Sequence, residues 1–116
     1  MQGVYLLSGN AIFSEDPKLT DESVIRLVLE DVTTIKLGAI RIAESKVEFD
    51  PKDIAIFKYL TFDFKDFEID ESRKYSLTMH VDRNGNNKIE AGDFITTENY
   101  SVVNGLEQFQ MQLTRV

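Results

Sequence analysis

The chain has 116 residues, 13 of them basic and 20 acidic, for a formal net charge of −7. That length fits one domain over residues 1–116, and 42% hydrophobic residues can supply its core. The absence of cysteine excludes disulfides, thiol nucleophiles and Cys-based metal centres, the one histidine excludes a multi-His zinc site, and the acidic balance opposes nucleic-acid backbones.

From the N-terminus, residues 4–13 form an irregular apolar run ending near Pro17. It has no basic leader and is broken by Ser8, Gly9 and Asn10, so it does not read as a signal peptide. No apolar run approaches the roughly 20 residues that span a bilayer. Residues 23–32 fit two patterns. Val24, Val28 and Val32 would line a helix, whereas Ile25, Leu27 and Leu29 alternate with Arg26, Val28 and Glu30. The β-branched content favours a strand. Ile40 and Ile42 flank Arg41, and residues 50–56 can hold one helical turn. Leu60, Phe62 and Phe64 alternate with polar residues, as do Tyr75, Leu77, Met79 and Val81. Near the end, Phe109, Met111 and Leu113 alternate with Gln108, Gln110 and Gln112.

Turn signals such as Asp50-Pro51, Leu37-Gly38, Asn84-Gly85 and Asn104-Gly105 separate these runs. About seven short strands without a long helix predict an all-β protein, a single antiparallel β-sandwich of immunoglobulin-like size. The expected core is Ile25, Leu27, Leu29, Ile42, Phe62, Phe64, Leu77, Met79, Val81, Phe109, Met111 and Leu113.

Residues 82–93 carry the most specific pattern, with oxygen-bearing side chains at loop positions 1, 3, 5, 9 and 12. Calcium takes six to eight oxygens, and a curled loop offers one from every second residue. Asp82, Asn84 and Asn86 would give side-chain oxygens and Lys88 its carbonyl. Glu90 would act through a water, and Asp93 would close the site. Ile89 would point inward. Position six, usually Gly, is Asn87, which tolerates the left-handed backbone next best. Asp at position 12 and Asn at position 5 resemble dockerin calcium loops. The flanks are strand-like, so the loop joins strands where an EF-hand loop joins helices. The other reading is a metal-free polar hairpin, although hairpin loops usually take about 2–5 residues.

Other signals are weaker. His80 lies two residues from Asp82, so both share a strand face, read as solvated. Phe57, Tyr59 and Phe67 either form an exposed patch for a partner or cover the rim of the sandwich. The three glutamines form an uncharged row that is either sheet exterior or interface. No phosphate loop, nucleophile elbow or preferred carboxylate pair appears, so catalysis is not expected.

In order, Leu7-Ser8-Gly9-Asn10-Ala11-Ile12, Leu27-Val28-Leu29-Glu30-Asp31-Val32, the run 42–49, Phe62-Asp63-Phe64, Tyr75-Ser76-Leu77, Gly92-Asp93-Phe94-Ile95-Thr96-Thr97 and Tyr100-Ser101-Val102-Val103 resemble the YbaY/YscW family. These are bacterial envelope lipoproteins described as type III secretion lipoprotein chaperones or pilotins. The resemblance implies a small non-enzymatic β-sandwich in the periplasm or at the outer membrane, held by a lipidated N-terminal Cys that this sequence lacks. It implies a protein partner, a secretin in pilotin members, and no catalytic residues. The alternative is a carbohydrate-binding or hydrolytic β-domain in which calcium is structural.

Overall fold

The computed structural model describes residues 5–34, 36 and 38–116. Val4 of the opening run and Leu37 of the expected turn lie outside them. Among the described residues eight strands and one short helix follow each other as β1 (Leu6–Phe13), β2 (Val24–Asp31), β3 (Ile40–Val47), α1 (Pro51–Phe57), β4 (Tyr59–Phe64), β5 (Tyr75–Asp82), β6 (Phe94–Thr96), β7 (Tyr100–Val102) and β8 (Leu106–Arg115). The all-β reading holds, and residues 23–32 resolve as a strand.

The strands form one curled sheet, a half-barrel, where two packed sheets were expected. Their order is β3-β2-β5-β6-β8-β1-β4, with β7 also paired to β5. Every pairing is antiparallel except β1 with β8, which is parallel and runs from Leu6↔Leu106 to Phe13↔Leu113. A sandwich and a half-barrel make the same demand on each strand, one buried face and one wet one. Alternation therefore predicts the strands but not their closure.

The inner face holds the core. Leu7, Ala11, Ile25, Leu27, Leu29, Phe64, Leu77, Met79, Val81, Phe94 and Met111 are all buried, and Phe62 and Leu113 with them. Two expected core residues differ. Ile42 is 44% exposed. The β2–β3 register shifts between Leu29↔Ala43 and Glu30↔Arg41, so Ile42 is the extra residue of a bulge and loses its inward phase. Phe109 is half-buried at the core's edge, edge-to-face with Tyr100 at 6.4 Å.

β3 and β4 are the two ends of the sheet, yet they are consecutive strands, and α1 spans the mouth between them. Asp50 caps α1 by accepting from the Lys52 N–H at 2.9 Å, and Pro51 suits the first turn. Lys58 ends it in a left-handed conformation, its N–H donating to the Ile54 carbonyl at 2.8 Å. The helix buries Ile54 alone, so one side chain fixes it to the core. Among the described residues no helix is long and apolar enough to cross a membrane.

Candidate functional site

β5 delivers Asp82 to the bottom of the 82–93 loop, where it is wholly buried. Its Oδ1 accepts from the Gly85 N–H at 3.0 Å, and its Oδ2 from the Asn87 N–H at 2.7 Å and the Arg26 guanidinium at 2.8 Å. Burial pushes the Asp82 carboxyl up, but the hydrogen bonds from Arg26 and Asn87 outweigh it and hold its pKa below the ordinary value. Asp93, also buried, accepts from the Arg83 N–H at 3.0 Å and the Glu90 N–H at 3.2 Å, and its Oδ2 lies 2.9 Å from His80 Nε2. Ligand atoms of His80, Asp82 and Asp93 all lie within 4.8 Å of one another. His80 is therefore half-buried against a carboxylate, which corrects its reading as a solvated surface residue.

The middle of the loop folds on its own amides. Asn84 Oδ1 accepts from the Asn86 N–H at 3.2 Å, and Asn86 Oδ1 from the Lys88 N–H at 3.0 Å. The Asn84 and Asn86 side-chain amides both donate to Glu90 Oε1, the latter at 2.7 Å. Asn87 takes the left-handed backbone expected at position six, with φ 63°. Ile89 corrects another expectation: it is 61% exposed, and the core does not anchor it. Instead it borders a groove of about 330 Å³ on the outer face with Val28, His80 and Ile95.

A carboxylate offers about four acceptor sites. Asp82 and Asp93 each spend three on chain donors, leaving one apiece for a cation. Arg26 and Asp31 are buried charged groups that alternation missed. Arg26 is buried on the face opposite Ile25 and Leu27, and a lone base inside an apolar strand was its only signal. Asp31 is buried at the end of β2, where it binds the Arg73 guanidinium and the Thr33 N–H, the latter at 2.9 Å.

A second feature lies at the mouth of the half-barrel. Phe49, Ile54, Phe57 and Tyr59 line a groove of about 310 Å³ with Glu48 and Asp53 at its rim. Phe57 and Tyr59 stand 61% and 46% exposed, with their rings edge-to-face at 6.2 Å. Phe67, the third aromatic of the expected patch, is buried. It packs edge-to-face on Phe64 at 5.3 Å and stacks on Tyr5 at 5.5 Å, so it is structural.

No protein-family model matches the chain, and neither does any curated protein. A solved structure does, described as an alternative pilotin from the type II secretion system of Vibrio cholerae. The two folds are alike. The likeness covers 98% of both chains with a TM-score of 0.69 at 22% sequence identity.

Proposed function

We propose that this chain is a non-enzymatic domain of the bacterial envelope that binds and escorts another protein, a secretin in the pilotin-like reading. The carrying observation is the end-to-end fold likeness to a pilotin. The polar interior agrees with it: Asp31, Asp82 and Asp93 accept hydrogen bonds that order the chain. The partner's place is the mouth between β3, α1 and β4, where two strand edges and an exposed aromatic pair meet. The same proposal puts the protein in the periplasm or at the outer membrane, with any membrane attachment through a lipid anchor.

The test is calorimetric titration of purified secretin segments into the domain. A segment should bind, and Phe57→Ser should weaken it by about 2 kcal/mol, roughly thirtyfold, as truncation of an aromatic anchor does. The thermal midpoint should hardly move, because Phe57 is exposed. Equal binding by the variant would remove the mouth as the docking surface.

We also propose calcium as a structural ion of the 82–93 loop, through Asp82, Asn84, Asn86, Lys88, Glu90 and Asp93. Its support is the ordered ligand spacing, the left-handed Asn87 and the adjacency of the two end carboxylates. With Arg26 already neutralising Asp82, weak binding is expected, in the range of roughly 0.1–1 mM.

A further inference from the structure

Asparagine precedes glycine at Asn84-Gly85 and at Asn104-Gly105. Both asparagines are exposed, and both fold the same way. Asn84 Oδ1 accepts from the Asn86 N–H at 3.2 Å, and Asn104 Oδ1 from the Leu106 N–H at 2.9 Å, so each side chain turns back over the glycine that follows it. Both glycines take a left-handed backbone, with φ 71° at Gly85 and 77° at Gly105. The two turns differ in what holds the groups beside the asparagine carbonyl. The Gly85 N–H donates to Asp82 Oδ1 at 3.0 Å, and the Asn84 side-chain amide donates to Glu90. Among the described residues neither the Gly105 N–H nor the Asn104 side-chain amide has an acceptor. The Gly105 carbonyl, by contrast, accepts from the Leu6 N–H at 2.7 Å, which seats the glycine while its nitrogen stays unbonded.

This arrangement has a chemical consequence. A backbone nitrogen that gives up its proton attacks the side-chain carbonyl carbon of the asparagine before it. The new C–N bond closes a five-membered imide, the glycine proton passes by way of water to the side-chain nitrogen, and that nitrogen leaves as ammonia. Water then opens the imide at either carbonyl, to aspartate or to isoaspartate. Glycine favours the attack because it has no Cβ to block the approach. A carboxylate that accepts from the N–H opposes it, since it holds the proton and repels the negative nitrogen. We propose that Asn104 is a site of spontaneous deamidation, and that Asn84, in the same dipeptide and the same kind of turn, is protected by Asp82 and Glu90. The product adds a carboxylate where Glu107 Oε1 already accepts from the Val103 and Asn104 N–H groups at 2.6 and 2.9 Å, and where Glu107 Oε2 is shielded without a partner. Like charges then repel, and isoaspartate adds a backbone atom just ahead of the Leu6↔Leu106 pair, so modification loosens the start of β8. The proposal does not rest on the pilotin-like reading, since neither turn lines the mouth.

The test is to age the intact chain in chelator at mildly alkaline pH and body temperature, folded and in unfolding urea, and to map the mass gain and the isoaspartate peptide by peptide. In the folded chain Asn104 should convert and Asn84 should lag at least about tenfold, because its glycine N–H must first leave a carboxylate. In urea the two rates should converge. Asn104→Ser should remove the fast conversion. Aged protein enriched in isoaspartate should melt below fresh protein, and Asn104→Asp, which adds the charge alone, should reproduce only part of that shift. Equal rates at the two sites in the folded chain, faster conversion of Asn84, or an intact Asn104 after the unfolded chain has converted would each overturn the assignment. A tenfold difference that persists in urea would do so too, by placing its cause in the flanking sequence. An unchanged melting midpoint on ageing would overturn the consequence for β8.

Discussion

Gly9 sets how closely β1 and β8 run together. A Cβ there would lie 1.9 Å from the Phe109 carbonyl oxygen, and the backbone sits at φ 152°. Gly9→Ala must therefore push apart the parallel pair of β1 and β8. It should cost about 3 kcal/mol in urea unfolding, the upper range for overpacking. Phe64 reports the opposite error, a void. It is fully buried against Phe67, so Phe64→Ala should cost about 3–5 kcal/mol, and a loss below about 1 kcal/mol would contradict the register of β4. Asp31 makes stability depend on acid. The Arg73 guanidinium, then the Thr33 hydroxyl and N–H, hold its pKa down to about 2 from the model-compound value of 3.8. A depressed carboxylate stabilises the fold above its unfolded value, and that contribution disappears as pH falls through the folded value. Between about pH 4 and pH 2 the wild type should lose stability from this site. Arg73→Met should lose it at higher pH, seen as an acid-unfolding midpoint shifted upward in circular dichroism. An unmoved midpoint would mean that the pair contributes nothing.

The 82–93 loop separates two ways of ordering a hairpin. If calcium binds near 0.1 mM, about 1 mM free ion adds about 1.4 kcal/mol and raises the melting temperature by roughly 5 °C over chelator. Arg26→Met removes the cation that already neutralises buried Asp82. In chelator it should cost about 3–5 kcal/mol, because it leaves a buried carboxylate unpaired. Calcium should then restore part of the loss, giving a larger shift than in the wild type. Coincident curves with and without calcium in both proteins would leave the loop held by its own amides. How much of this was legible follows element by element. Alternation found β4, β5 and β8, β-branched content decided β2 where two periodicities competed, and the helical turn read at residues 50–56 became α1. Ile42 was misplaced because a one-residue bulge reverses phase, and no local residue announces it. Phe67 was left open between patch and rim because it follows β4 in an irregular segment, where alternation says nothing of direction. The calcium spacing identified a folded loop, but not that Arg26 and His80 would reach its carboxylates from neighbouring strand positions. Those contacts depend on register across the sheet, which the sequence of one loop does not contain.

On the scale of the whole molecule, the sheet is ordered by its least local pairing. β8 lies between β6 and β1 and is bonded to both. Without it, no strand pairing among the described residues joins β3-β2-β5-β6 to β1-β4, and Met111 and Leu113 vanish from the core. Deleting Leu106–Arg115 should thus abolish the cooperative thermal transition; a retained sharp transition would show that the two fragments hold together by themselves. β8 also leaves the ribosome after the other described strands. A nascent chain that has emerged only as far as Val102 already contains every other strand, yet it cannot close the sheet. Closure of the half-barrel therefore waits for β8, and the sheet stays open until that ten-residue strand arrives.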